Sequence, residues 1–205
     1  MSDRLDTLLD TVGPLLRRVD DVLSTGGAPP GHPVWTEIRR VRLLPWDAVL
    51  AVAALRPDIL REAARELRAD VRAYAAVADS LPSPGIWSGE AAEAYDRARR
   101  GAADHLSGGA ESMQERLAAT ADLAEAMVDW MVRARGDLAA TLAGVLGSAE
   151  GLLLSFRIDA NPPEARDVSA AAEVAVDVLR TIAAGYDVAD DLLQRSTRLA
   201  MPLPA

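Results

Sequence analysis

Few residues in this chain are of a type that does chemistry, and their spacing argues against an active site. There are two histidines, His32 and His105. His32 stands in the Gly/Pro-rich stretch STGGAPPGHP, and His105 lies beside a helical apolar seam. Neither has a second imidazole or a carboxylate at the i, i+4 spacing by which one helix face holds a metal ion. The chain has no cysteine, so disulfides and thiolate ligands are excluded. No GxSxG elbow supplies a nucleophile, and no strand leads into a glycine-rich, phosphate-cradling loop. Asp187, Asp190 and Asp191 cluster near the C-terminus, but acids on a helix read first as a solvated face. The residues therefore predict no catalytic activity, no metal site and no cofactor.

What stands out instead is a bend. In SLPSPGIWSGEAAEAYDRARR, a proline-punctuated turn carries Trp87, followed two positions later by Gly89. Only 4% of the chain is aromatic, with four tryptophans, so a large indole at an elbow needs a reason. It either fills the core there or offers a surface to something else. Near the C-terminus, Tyr186 and Asp190 stand four residues apart, one turn along one helical face.

The elements that must position these residues are helices. Half of the 205 residues are apolar, much of that share alanine, which favours helix and buries little area per residue. Long helices meeting along thin seams are expected rather than a bulky core. The formal net charge of -9 disfavours binding to nucleic acid. All basic side chains are arginine. The N-terminal MSDRLDTLLDTVGPLLRRV interrupts its apolar positions with acids, so no cleaved secretory signal is expected. No run approaches the roughly 20 apolar residues of a membrane span.

Leu5, Leu8, Val12, Leu15, Val19 and Val22 mark a first helix, with a kink expected at Gly13-Pro14. Residues 24–33 read as a flexible linker. Two short helices follow, separated by Pro45, and then a helix opened by Pro57. Its seam runs through Leu60, Leu67, Val71, Tyr74, Ala78 and Leu81 and stops at Pro82 and Pro84. Past the WSG turn, with Ser88 as the candidate cap, apolar positions run almost in register from residue 90 to residue 156. An unbroken helix there would be on the order of 100 Å long, so a break is expected at Ser107-Gly108-Gly109 or Gly136. Asn161-Pro162-Pro163 ends this section, and a final helix carries Val168, Ala175, Ile182 and Leu192. The class is all-α, an elongated antiparallel hairpin or bundle with extra helices at both ends. Its sections are residues 1–33, 34–160 and 161–205.

A helix, a W-x-G turn and a second helix opening GEAAEAY together resemble the WXG family of type VII (ESX) secretion substrates. The family also carries Y-x-x-x-[DE] near the end of a helix, which Tyr186-Asp187-Val188-Ala189-Asp190 matches. The resemblance covers about half of the chain, from Pro57 to roughly Arg135, plus the tyrosine element; it is similar to the larger multi-helix substrates. It implies a non-enzymatic protein, cytoplasmic before export and secreted without a cleaved signal. It further implies Trp87, Gly89, Tyr186 and Asp190 as recognition residues, and two partners. One is a second helical hairpin, from another chain or a copy of this one, in a homo- or heterodimer; the other is a secretion ATPase. The alternative from another class is a cytoplasmic helical adaptor or dimerisation protein, in which Trp87 is buried core.

Overall fold

The computed structural model describes residues 3–109, 111–156 and 163–199, with side chains up to residue 196. Among these residues all regular structure is helical: α1 (Arg4–Gly26), α2 (Val34–Val41), α3 (Pro45–Ala53), α4 (Pro57–Ser80), α5 (Glu90–Leu106), α6 (Met113–Gly147), α7 (Ala149–Phe156) and α8 (Ala165–Leu199). The chain forms two compact units, each assembled from separate stretches. The first takes Met1–Arg56 and Trp130–Asp191; the second takes Pro57–Asp129 and Leu192–Ala205. Two helices, α6 and α8, run from one unit into the other.

The first unit is a helical bundle around a continuous aliphatic core. Its α1 starts from a reciprocal cap: the Asp6 amide donates to Asp3 Oδ1 at 3.1 Å, and the Asp3 amide donates to Asp6 Oδ2 at 3.2 Å. The helix then runs on through Pro14 as one element. Gly13 serves packing: a Cβ there would stand 3.1 Å from the Trp46 ring of α3, so the missing side chain lets the indole lie against α1. Arg17 covers the other part of that ring, its guanidinium 5.2 Å from the centroid. Buried Val12, Leu16, Val19 and Val22 face Val49, Leu138, Leu142, Val178 and Leu179 in the same core.

One buried charge ties this unit together. The Arg135 side chain on α6 is only 7% exposed, and its donors go to the Asp3 and Asp6 carboxylates and to the Val52, Ala53 and Leu55 carbonyls. One guanidinium thus closes the N-terminus of α1 and the C-terminus of α3 at once. Its hydrogen bond holds the Asp3 carboxyl below the usual range. Residues 27–33 are tethered as well. Trp35 Nε1 donates to the Pro29 carbonyl at 3.3 Å, and His32 Nδ1 accepts from the Val34 amide at 3.2 Å. Of residues 24–33, expected as a linker, 24–26 complete α1 and the remainder forms the turn that these bonds close.

The second unit packs α4 against α5 and holds α4 to the N-terminal part of α6. Arg68 of α4 pairs with both Asp122 and Glu125 of α6, its Nε 2.9 Å from Glu125 Oε1. Its buried apolar residues are small: Ala64, Ala78, Ala92, Ala121, Ala124 and Val128.

The long apolar run from residue 90 to residue 156 is interrupted twice. As expected, it breaks at Ser107-Gly108, where Gly108 has φ 114 and Ser112 Oγ accepts from the Glu115 amide to open α6. Gly136 lies inside an unbroken helix. The second break, at Ser148, was not foreseen. There Ser148 Oγ accepts from the Gly151 amide, and a Cβ on Gly151 would stand 2.0 Å from the Val145 carbonyl oxygen. The chain turns by 65° between α6 and α7, and only glycine fits the inside of that turn. Among the described residues no single helix is long and apolar enough to cross a membrane; α6 and α7 reach that length and hydropathy only as this bent pair. The expected stop at Asn161-Pro162 and the tail MPLPA lie outside the described residues.

Candidate functional site

The bend between α4 and α5 spans residues 81–89. Its tightest part is a turn in which the Trp87 amide donates to the Pro84 carbonyl at 3.1 Å, with Gly85 at φ 61. Gly89 is the N-cap of α5, at φ 96 and ψ -179, a conformation essentially confined to glycine. Its carbonyl accepts from the Glu93 amide, the first bond of the helix. The expected cap, Ser88, makes no capping bond; the glycine backbone itself opens α5, and Glu90 and Glu93 stand in its positive first turn.

Tyr95, one turn into α5, clasps this elbow. Its hydroxyl donates to the Pro82 carbonyl at 2.8 Å, and its ring lies 5.8 Å from that of Trp87, tilted by 47°. The indole is 53% exposed and neighbouring Ile86 is wholly exposed. Ile86, Trp87 and Tyr95 therefore make an apolar patch at the elbow, anchored by one aromatic hydroxyl. Tyr95 was legible only as a seam residue; its value lies in a carbonyl thirteen residues upstream, which helical spacing does not reveal.

Tyr186 and Asp190 lie on α8, both exposed, with Tyr186 at 36%. They belong to the first unit, whereas Trp87 and Gly89 belong to the second. Around Tyr186 the helix is tethered twice. Trp130 Nε1 donates to the Gly185 carbonyl at 2.7 Å, and Arg40 of α2 pairs with Asp187.

The other chemistry-bearing residues are engaged locally. His32 Nε2 lies 3.3 Å from Glu173 Oε1, and His105 is exposed. Among the described residues no three His, Cys, Asp or Glu side chains are grouped to hold a metal ion. An open groove of about 540 Å³ runs between α6 and α8, edged by Thr141, Ser148, Asp177, Arg180 and Thr181. The Thr141 and Thr181 hydroxyls bond each other across it at 2.9 Å. One carboxyl is strongly shifted: burial raises Asp20 to about 7, although the Trp46 amide donates to it at 3.3 Å. That group, half-buried in the first unit, accepts from the first turn of α3 and is remote in sequence from either motif.

The class the fold and surfaces define is an all-helical protein with an exposed aromatic elbow. No family model, curated protein or solved structure matches the chain.

Proposed function

We propose that this chain is a non-enzymatic substrate or partner protein of a type VII secretion system. In this reading α4 and α5 form the W-x-G hairpin, and Trp87 with Gly89, and Tyr186 with Asp190, are the elements read by a secretion ATPase. The observation that carries the reading is the exposure of Trp87. An indole that merely fills a helix elbow loses most of its surface to neighbours. This one leaves 53% to water, beside a fully exposed Ile86, in a unit whose buried residues are mostly alanine. Such a patch is available to a partner. Export would need no cleaved leader.

The test is export from a host with an active type VII system, comparing the parent chain with Trp87→Ala and Tyr186→Ala at equal intracellular levels. Each substitution is expected to lower the exported fraction sharply while helical circular dichroism stays unchanged. Undiminished export of both variants sinks the proposal. One observation favours the second reading, a helical adaptor or dimerisation protein: among the described residues α5 buries only Ala92 along seventeen residues. Concentration-dependent sedimentation together with undiminished export of both variants would select it.

A further inference from the structure

The two tethers beside Tyr186 fall on successive elements of one turn. Gly185 lies within α8, where its carbonyl is placed for the helix's own ladder to the amide four residues on. It nevertheless receives a second donor, the Trp130 indole N–H, at 2.7 Å. Trp130 is 7% exposed, the most buried of the four tryptophans. Two residues further along α8, Arg40 reaches across from α2 to the Asp187 carboxylate. The bonds hold the backbone before Tyr186 and the side chain after it. Tyr186 and Val188 are left outward at 36% and 44% exposure, and Asp190 is exposed one turn on.

We infer that Trp130 and Arg40 are positioning residues for the Tyr186–Asp190 turn, fixing which face of it is presented; the inference rests on the export reading above. A tyrosine and a carboxylate one turn apart make a composite surface only while the intervening turn stays helical. The turn lies inside the unbroken α8, whose backbone ladder keeps it helical, so what the two tethers add is to fix which face it turns outward. A partner's binding energy then need not be spent on orienting that face.

The experiment pairs two measurements on the full chain, amide hydrogen exchange over residues 185–191 and export per folded intracellular molecule. Trp130→Phe keeps the aromatic bulk and removes the N–H. Arg40→Gln removes the second tether at a half-exposed side chain, which also pairs with Glu37, and so remains informative if Trp130→Phe folds poorly. Trp130→Phe is expected to raise exchange in this turn by about fivefold, the size of one lost hydrogen bond, and Arg40→Gln by less, as suits an exposed ion pair; both are expected to lower the exported fraction, with exchange elsewhere in the first unit unchanged. Faster exchange with unchanged export, while Tyr186→Ala still lowers export, overturns the positioning role and leaves the export reading standing. Unchanged exchange in both variants overturns it as well. Unchanged export of Tyr186→Ala removes the tyrosine element from the export reading and the inference with it, while the reading as a whole falls only if Trp87→Ala is exported undiminished as well.

Discussion

The two units are built from the same kind of helix and held by different physics. Among the described residues the largest fully buried side chains, including Leu5, Leu16, Leu138, Leu142, Leu154 and Leu179, belong to the first unit. The second unit buries Ala64, Ala78, Ala92, Ala121 and Ala124 with a single valine, and adds the Arg68 clamp to Asp122 and Glu125. Burial stabilises in proportion to apolar area, so the first unit has a true core. The second has close backbone approach and surface ion pairs, which contribute little each. The exposed aromatic elbow stands on the weaker unit, and the tyrosine element on the stronger. A surface meant to be completed by another chain needs no core of its own, whereas an element that must present one fixed turn gains from one.

Truncating one leucine in each unit tests this contrast at its largest expected effect. Leu142 is fully buried, and Leu142→Ala is expected to cost about 3 kcal/mol through lost burial and the cavity left behind. Leu117 of the second unit is only half-buried, and Leu117→Ala is expected to cost about 1 kcal/mol. Because the units need not unfold together, hydrogen exchange read helix by helix is the right measurement. Leu142→Ala should open α1, α3 and α8, and Leu117→Ala only α4 and α5. Equal costs would mean that the second unit has a core the burial pattern hides.

The all-α class was legible because alternation with period two is missing and apolar residues recur every three or four positions. Proline positions marked the start of α3 and α4 and the end of α4, since a missing N–H and a fixed φ act locally. Less legible was everything set by distant partners. Gly13-Pro14 read as a kink; what the spacing did not show is that a side chain at Gly13 would crowd the Trp46 ring of α3. The break at Ser148 was hidden because the apolar pattern continues across it; the one residue the turn requires is Gly151, which reads in sequence as an ordinary helix position. Nothing in the spacing of Arg135 announced a guanidinium bonded to two helix termini. At the candidate site, Trp87 and Tyr186 were found as motif residues, but their exposure and the Tyr95, Trp130 and Arg40 contacts depend on neighbours far along the chain.

A smaller effect is expected at the elbow. Gly89 has open space where a Cβ would stand, so substitution meets no neighbour and costs only backbone strain. At φ 96 and ψ -179 that strain is about 2 kcal/mol for alanine. On a unit with a thin seam the strain is released by fraying the first turn of α5 rather than by global unfolding. Gly89→Ala is therefore expected to weaken the Trp87–Tyr95 contact, seen as a shift in tryptophan emission and faster exchange of the amides of residues 90–94. The first unit should keep its thermal midpoint. A global loss of stability would show that the elbow carries more of the fold than its exposure implies.

The smallest effect concerns a burden that only the stronger unit can hold. Burial raises the Asp20 carboxyl to about 7, with the Asp47 and Asp21 charges acting in the same direction and the Trp46 amide opposing them. In the unfolded chain it titrates near the ordinary carboxylate value of 3.8. At low pH it is protonated in both states and contributes no pH-dependent cost. As pH rises from about 4 to about 7 the unfolded chain releases the proton while the folded chain retains it, so stability falls. Above that window both states are ionised and the cost stays. Asp20→Asn keeps an oxygen acceptor for the Trp46 amide and removes the charge. It is expected to stabilise the protein at pH 8 by about 1 kcal/mol, a figure kept small because water still reaches and screens the carboxylate. Urea unfolding at pH 4 and pH 8 reads the difference: the gain should be present at pH 8 and largely gone at pH 4. Asp3 moves the other way, its stabilising pair with Arg135 being lost only as pH falls below its depressed range. An Asn variant that is less stable at pH 8 than the parent would mean that the ionised carboxylate caps α3 well enough to offset its burial, and that the first unit's core carries no such burden.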